Sequence, residues 1–447
     1  MKKIKVSGEP KLNAFFSPAI RFFELEQSSG ILLIAVAVIA IAWANSPFAG
    51  IYFELWEKTL SFGFGEFRLE KTLHHWINDG LMAVFFFVVG LEIKRELVIG
   101  ELSGFKKAAL PVVAAIGGMV FPAAIYAVIN SGTEASAGWG IPMATDIAFA
   151  IGVLSLLGSR VPVSLKVFLT ALAIIDDLGA VIVIAVFYSA DISLMMLGLG
   201  GLVIFVLILM NFLKVRFTPV YVILGIILWF FFLKSGVHAT IAGVLLALTI
   251  PAKTRINTKE FFGSVKNAID ELKNKNLIND ADSVSPQVKE TVYGIEEVCE
   301  SVSAPAHRLE HKLHPYVAFF IMPVFALANA GVSLGNAAAG AFSGVTIGIV
   351  LGLVFGKITG ITLLPWLSIK AGFGEMPGGT TFRQLFGAAC LAGIGFTMSL
   401  FIANLAFGSG DLLEYSKLGI ISASLIAGIL GYLILRKSGS TTGPAGQ

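Results

Sequence analysis

The chain has 447 residues, 56% of them hydrophobic and only 14% charged, with a net charge of +3 and a mean hydropathy of +0.84. An ordinary soluble domain carries about 25% charged residues. A water-soluble fold, a disordered chain and a disulfide-stapled scaffold are therefore excluded, and a charge of +3 spread over membrane loops does not suggest nucleic acid as a partner.

The first 26 residues form a tail with a basic start. Arg21, Glu24 and Glu26 interrupt any apolar core, so the first apolar run reads as a retained span rather than a cleaved signal. A helical span needs about 20 mostly apolar residues. Twelve candidate runs follow, at about 27–45, 73–99, 108–130, 138–157, 163–189, 194–212, 218–233, 236–251, 314–330, 343–366, 383–407 and 412–435. The composition and these runs predict an all-α polytopic membrane protein whose transmembrane domain covers 27–436.

An even number of spans puts the tails, 1–26 and 437–447, on one side. Lys and Arg number 26 on that side against 4 on the other, or 17 against 4 without the long 252–313 segment. Cytoplasmic loops collect positive charge, so both termini are expected in the cytoplasm. Two connections are long enough for structure of their own. Residues 46–71 contain LSFGFGEFRLE, an alternating pattern around Gly65-Glu66 that reads as an outer hairpin with an edge able to pair with a second copy. Residues 252–313 carry two amphipathic stripes, Phe261/Val265/Ile269/Leu272 and Val288/Val292/Ile295/Cys299/Val302, which read as helices at the membrane surface.

Ionisable groups inside a bilayer are costly and mark function by default. Asp79 lies in span two, Thr145-Asp146 in span four, Asp176-Asp177 in span five and Lys357 in span ten, and span eight starts near His238. Asp176 and Asp177 have about ten apolar residues on either side, which places them near the midplane. Neighbouring helical residues point about 100° apart, so one carboxylate can meet a cation while the other meets a partner helix. Lys357 is flanked by apolar runs and needs a counter-charge, most directly one of the aspartates. Gly138, Gly140 and Pro142 precede Asp146, while Gly393 and Gly395 precede Thr397 in span eleven. Such paired interruptions predict broken helices, tolerated only where they are buried in protein or line a cavity. At the cytoplasmic mouth, Glu92, Arg95 and Glu96 share one helix face, and Glu310, His311 and His314 open span nine; histidines beside a glutamate titrate near neutral pH. His74 and His75, on the other side, read as interfacial anchors.

In chain order, GLEIKREL, ATDIAFAIG, ALAIIDDLGA, SGVHATIAG, LEHKLHPYVAFFIMPVFALANAG, FGKITG and AGIGFTMSLFIANLAF closely resemble the NhaA family of bacterial sodium/proton antiporters, over about residues 15–436. The resemblance implies a twelve-helix fold with inverted repeats at about 108–189 and 343–436, and crossed, broken helices at spans four and eleven. It also implies a bacterial inner-membrane location and a homodimer joined by the outer hairpin. Asp176 and Asp177 become the site for transported sodium and protons, Thr145 and Asp146 the crossing, and Lys357 the charge partner. Glu92, Arg95, Glu96, His238, Glu310, His311 and His314 become the pH-responsive group. The 252–313 segment is longer than in compact members of the family.

Exchange also follows from the residues. Sodium prefers hard oxygen ligands, and a buried carboxylate can be neutralised by sodium or by a proton but not by both. The resemblance extends this to electrogenic expulsion of sodium, and of lithium, in exchange for protons, with no cofactor and no catalytic set. An intramembrane aspartyl protease would need its aspartates on facing helices, and a prenyl-transferring enzyme would need DDxxD where position 180 is Ala. A sodium-coupled symporter of a small solute is the remaining alternative.

Overall fold

A computed structural model describes residues 27–63, 69–189, 191–252, 258–274, 286–302 and 304–438. The amino tail, the hairpin centre at Gly65-Glu66 and most of the carboxyl tail lie outside the described residues. The architecture is helical and polytopic, as the composition predicts. Each of the twelve expected runs is occupied by helix. Among the described residues, seven helices are long and apolar enough to cross a bilayer: Leu73–Val98, Ala108–Ile129, Val163–Phe187, Leu194–Phe212, Thr218–Ser235, Gly344–Lys370 and Asp411–Lys437. Three bent pairs bring the number to as many as ten. The other two expected spans are the ten-residue helix Thr240–Thr249 and the run from Pro305–Tyr316 through a π-helical turn, Val317–Ile321, into Met322–Asn329.

The chain divides into two compact units. The first holds the described residues up to Met82, Glu101–Ser189 and those from Val317 onward; the second holds Ala83–Gly100 and the described residues between Ser189 and Val317.

In the first unit, the hairpin forms as the alternation predicts. Strand Thr59–Phe62 pairs antiparallel with Leu69–Thr72, with Thr59 opposite Thr72 and Phe62 opposite Leu69. The same connection also holds an unexpected helix, Ala49–Glu57, bent 109° from the preceding helix at a break containing Ser46 and Pro47. Its buried Tyr52 packs edge-on against Trp43, donates to the Leu327 carbonyl at 2.7 Å and accepts from the Gly331 N–H at 3.1 Å. Helix Phe105–Ile129 packs against Lys357–Lys370, with Gly117 and Gly360 backbone to backbone, so that a Cβ at either position would collide with the other chain segment.

In the second unit, Thr258–Asn274 and Pro286–Val302 confirm two helices in the 252–313 segment and pack on each other. The segment returns to where it leaves, because the Ala306 N–H donates to the Pro251 carbonyl at 3.2 Å.

Candidate functional site

Both helix breaks fall where the glycines and prolines place them. Glu134–Met143, which carries Gly138, Gly140 and Pro142, winds as a 3₁₀ helix and stops at Ala144, whose backbone is extended; Ile147–Leu156 resumes at an angle of 43°. Phe382–Ala392 and Phe396–Phe407 meet at 42° across Gly393–Ile394–Gly395. The breaks lie against each other: the Asp146 N–H donates to the Ile394 carbonyl at 2.7 Å, and the Thr145 hydroxyl donates to the Ala392 carbonyl at 2.8 Å. Backbone groups freed by one break are thereby satisfied by the other, as a non-helical segment at membrane depth requires.

Asp146 serves both half-helices. One carboxylate oxygen accepts from the Phe149 N–H at 2.9 Å and caps Ile147–Leu156. The other accepts from the Thr397 N–H at 3.0 Å and from the Thr397 hydroxyl, at the start of Phe396–Phe407. The buried Asp146 side chain thus faces two helix N-termini, where the helix dipoles favour an anionic acceptor. Thr397, present in the sequence only as part of a motif, belongs to the site as the partner of Asp146. Tyr188 ties the 3₁₀ half from the end of Val163–Phe187: its hydroxyl donates to the Ala137 carbonyl at 2.8 Å and accepts from the Gly140 N–H at 3.3 Å.

Lys357 is fully buried and donates to Asp176 and, at 2.9 Å, to the Thr145 hydroxyl oxygen. Because the Thr145 hydroxyl gives its own hydrogen to Ala392, its lone pairs remain to receive the ammonium. A continuous chain therefore runs from one break through Thr145 and Lys357 to Asp176. Asp176 and Asp177 are each 1% exposed. Asp176 Oδ1 accepts no hydrogen bond among the described residues. One lysine against two adjacent ionised carboxylates leaves a surplus negative charge, which a bound cation or a proton offsets.

The mouth residues lie in the second unit. Arg95 pairs with the buried Glu310 and with Glu96 at 2.9 Å. His314 Nε2 lies 4.0 Å from Glu92, and His307, which the sequence reading passes over, lies 3.6 Å from Glu310. Lys94 donates to the Leu248 and Ile250 carbonyls, closing the C-terminus of Thr240–Thr249. His311 is exposed on the helix Pro305–Tyr316, which also carries Glu310 and His314. His238 is half-buried at the opposite end of Thr240–Thr249 from Lys94, and so does not join the Glu92–Glu310 group. Asp79 is half-buried on a π-helical turn, Trp76–Leu81. His74, read from the sequence as an interfacial anchor, places its ring Nε2 3.0 Å from Asn329 Oδ1. Asn78, Asn329 and Asn404, which carry no charge to draw notice in the sequence, join it in one cluster.

Residues 20–435 match the family model described as Na+/H+ antiporter 1. The chain is 51% identical over 427 residues to a protein of Oleidesulfovibrio alaskensis named Na(+)/H(+) antiporter NhaA, covering 95% of each chain. It is 48% identical over 434 residues to Na(+)/H(+) antiporter NhaA 1 of Saccharophagus degradans, covering 96% of this chain and 94% of that one. A protein of Koribacter versatilis with the NhaA name is 48% identical over 430 residues, covering 95% of this chain and 92% of that one.

Proposed function

The chain belongs to the Na+/H+ antiporter 1 family, and from that premise we propose that it exchanges sodium for protons at Asp176 and Asp177. The observation that carries this reading is the buried pair of adjacent carboxylates with a single buried lysine bonded to one of them. Asp177 points about 100° away from Asp176 around the helix, so the lysine that holds Asp176 does not stand in the same direction from Asp177. Sodium takes oxygen ligands and an ionised carboxylate supplies both oxygen and charge. A protonated carboxylate offers neither charge nor two free oxygens, so proton and sodium occupancy exclude each other. Movement of the crossed half-helices then presents the same site to each side in turn.

When the two carboxylates release two protons for each sodium, net charge crosses per cycle and the membrane potential drives sodium outward. Lithium, a smaller hard cation, fits the same ligands. The symporter alternative lacks support, since the relatives at 48–51% identity carry antiporter names. Thr145 and Asp146 hold the crossing, Lys357 balances Asp176, and Glu92, Arg95, Glu96, Glu310 and His314 link protonation at the mouth to the cycle. His311, His238 and Asp79 stay as outlying candidates for the pH response and the ion path. The same reading places the protein in the bacterial inner membrane with both termini in the cytoplasm, as a homodimer joined at the Thr59–Thr72 hairpin, with repeats at 108–189 and 343–436. The deciding experiment is reconstitution of the chain alone in vesicles. Sodium added to one side should move protons in the opposite direction, and vesicles in which sodium moves no protons would rule the assignment out.

A further inference from the structure

At the end of the fold nearest the hairpin, three asparagines and a histidine from three helical segments form one hydrogen-bond cluster. Asn329, fully buried, is its hub. Its Oδ1 accepts from His74 Nε2 at 3.0 Å and from Asn404 Nδ2 at 3.0 Å. Its Nδ2 donates to Asn78 Oδ1 at 3.1 Å and to the Phe325 carbonyl at 2.9 Å. The amide orientations are forced. Asn404 Nδ2 also faces the Leu400 carbonyl, at 2.7 Å, so turning either amide over would set oxygen against oxygen. With Asn329 Oδ1 fixed as an acceptor, His74 must carry its hydrogen on Nε2. Asn78 is presented by the π-helical turn Trp76–Leu81, an irregularity that tends to persist at functional positions.

Asn404 lies seven residues after Thr397 on Phe396–Phe407, about 10 Å along the axis. This half-helix is fastened near the crossing by Thr397 on Asp146, Ser399 on the Ile141 carbonyl and the Phe396 N–H on Ser424, and at the hairpin end by Asn404 on Asn329. Among the described residues, the Asn404 side chain makes its one hydrogen bond outside its own helix to Asn329, and its buried Oδ1 accepts none. We propose that Asn329, oriented by His74 and Asn78, is a latch that positions the Phe396–Phe407 half-helix through Asn404. This rests on the exchange reading above. The four residues act through Thr397 and Asp146 and so are positioning residues. The apparent dissociation constant scales inversely with the fraction of molecules whose site is assembled, so a weakened latch raises the apparent KM for sodium and spares the maximal rate.

The test compares Asn404→Ala, Asn329→Ala, the double variant, His74→Ala and His74→Gln with the unmodified chain, all in vesicles with sodium varied. Loss of one hydrogen bond should raise the apparent KM roughly 3- to 10-fold, with the maximal rate changed by less than about twofold. The double variant should be no worse than the more affected single one. His74→Gln, which keeps an N–H donor, should stay near the unmodified chain. Amides of 396–407 should exchange hydrogen faster in the variants, with those of 382–392 unaltered. Additive KM effects, or an unaltered KM with unaltered exchange, overturn the latch. Where Asn329→Ala does not fold, Asn404→Ala leaves the hub in place and decides. Failure of the unmodified chain to exchange sodium for protons sinks the exchange reading, and the hydrogen-exchange comparison then still judges the fastening.

Discussion

Asp146 and Thr397, 251 residues apart in sequence, meet through two hydrogen bonds to a single carboxylate oxygen, one from the threonine N–H and one from its hydroxyl. The other oxygen caps the helix that Asp146 itself begins. One buried carboxylate therefore closes two half-helices, and its removal leaves two sets of terminal N–H groups without an acceptor.

Each cap is worth about 1–2 kcal/mol. Asp146→Ala should therefore lower stability by about 2–4 kcal/mol, read as thermal unfolding in detergent. Asp146→Asn keeps an accepting oxygen and should cost less. A loss below about 1 kcal/mol for the alanine variant would show that the crossing stands without this residue.

Asp177→Asn should abolish exchange, because it removes a charge from the proposed cation site and leaves its shape intact. The measurement is sodium-induced proton movement in vesicles, and a normal rate in this variant would remove Asp177 from the site. Asp176→Asn should also be severe, since it leaves the buried Lys357 without the carboxylate that balances it. Exchange that survives with fewer charges moved per cycle would confine Asp176 to balancing the lysine.

The Lys357–Asp176 pair has a signature of its own. Breaking a buried ion pair from one side strands a charge and costs about 3–5 kcal/mol, whereas neutralising both partners removes the stranded charge. Lys357→Ala should thus be strongly destabilising, and Lys357→Ala with Asp176→Asn should be less so than the sum of the single changes. A double-mutant cycle on thermal unfolding measures the coupling. Strictly additive losses would mean that the lysine is balanced by a different carboxylate.

Much of this site is legible in the sequence because charge in an apolar run has few resolutions. A lysine flanked by Gly and aliphatic residues must find an acid, and Asp176 is one of the few available. The breaks are legible too, since Gly138, Gly140 and Pro142 weaken one helix and Gly393 and Gly395 the other. The meeting of Asp146 with Thr397 is not legible, as hydroxyl and backbone donors leave no trace of their distant partners. The same holds for Asn78, Asn329 and Asn404, whose amides carry no charge and occur elsewhere in ordinary caps. Helix Ala49–Glu57 escapes notice because at nine residues it is too short to span a bilayer and lies in the connection after the first apolar run. The π-helical turns at Trp76–Leu81, Val317–Ile321 and Gly352–Gly356 each insert one residue that hydrophobic spacing cannot signal.

The long segment between Thr240–Thr249 and Pro305–Tyr316 gives the last prediction. Its described helices, Thr258–Asn274 and Pro286–Val302, pack on each other, and its two ends are joined by the hydrogen bond from Ala306 to Pro251. A segment whose ends already touch can be shortened without moving what it connects, and loop length itself adds only about 0.6 kcal/mol per doubling. Replacing residues 253–303 with a short glycine-serine linker should therefore keep unfolding within about 1 kcal/mol of the full chain. Arg95, Glu310, His307 and His314 all lie outside the replaced stretch, so exchange should persist, with at most a displaced pH profile. The assay is sodium-dependent proton movement across a range of pH, alongside thermal unfolding. A variant that folds as well as the full chain yet exchanges no ions at any pH would place the segment within the transport machinery.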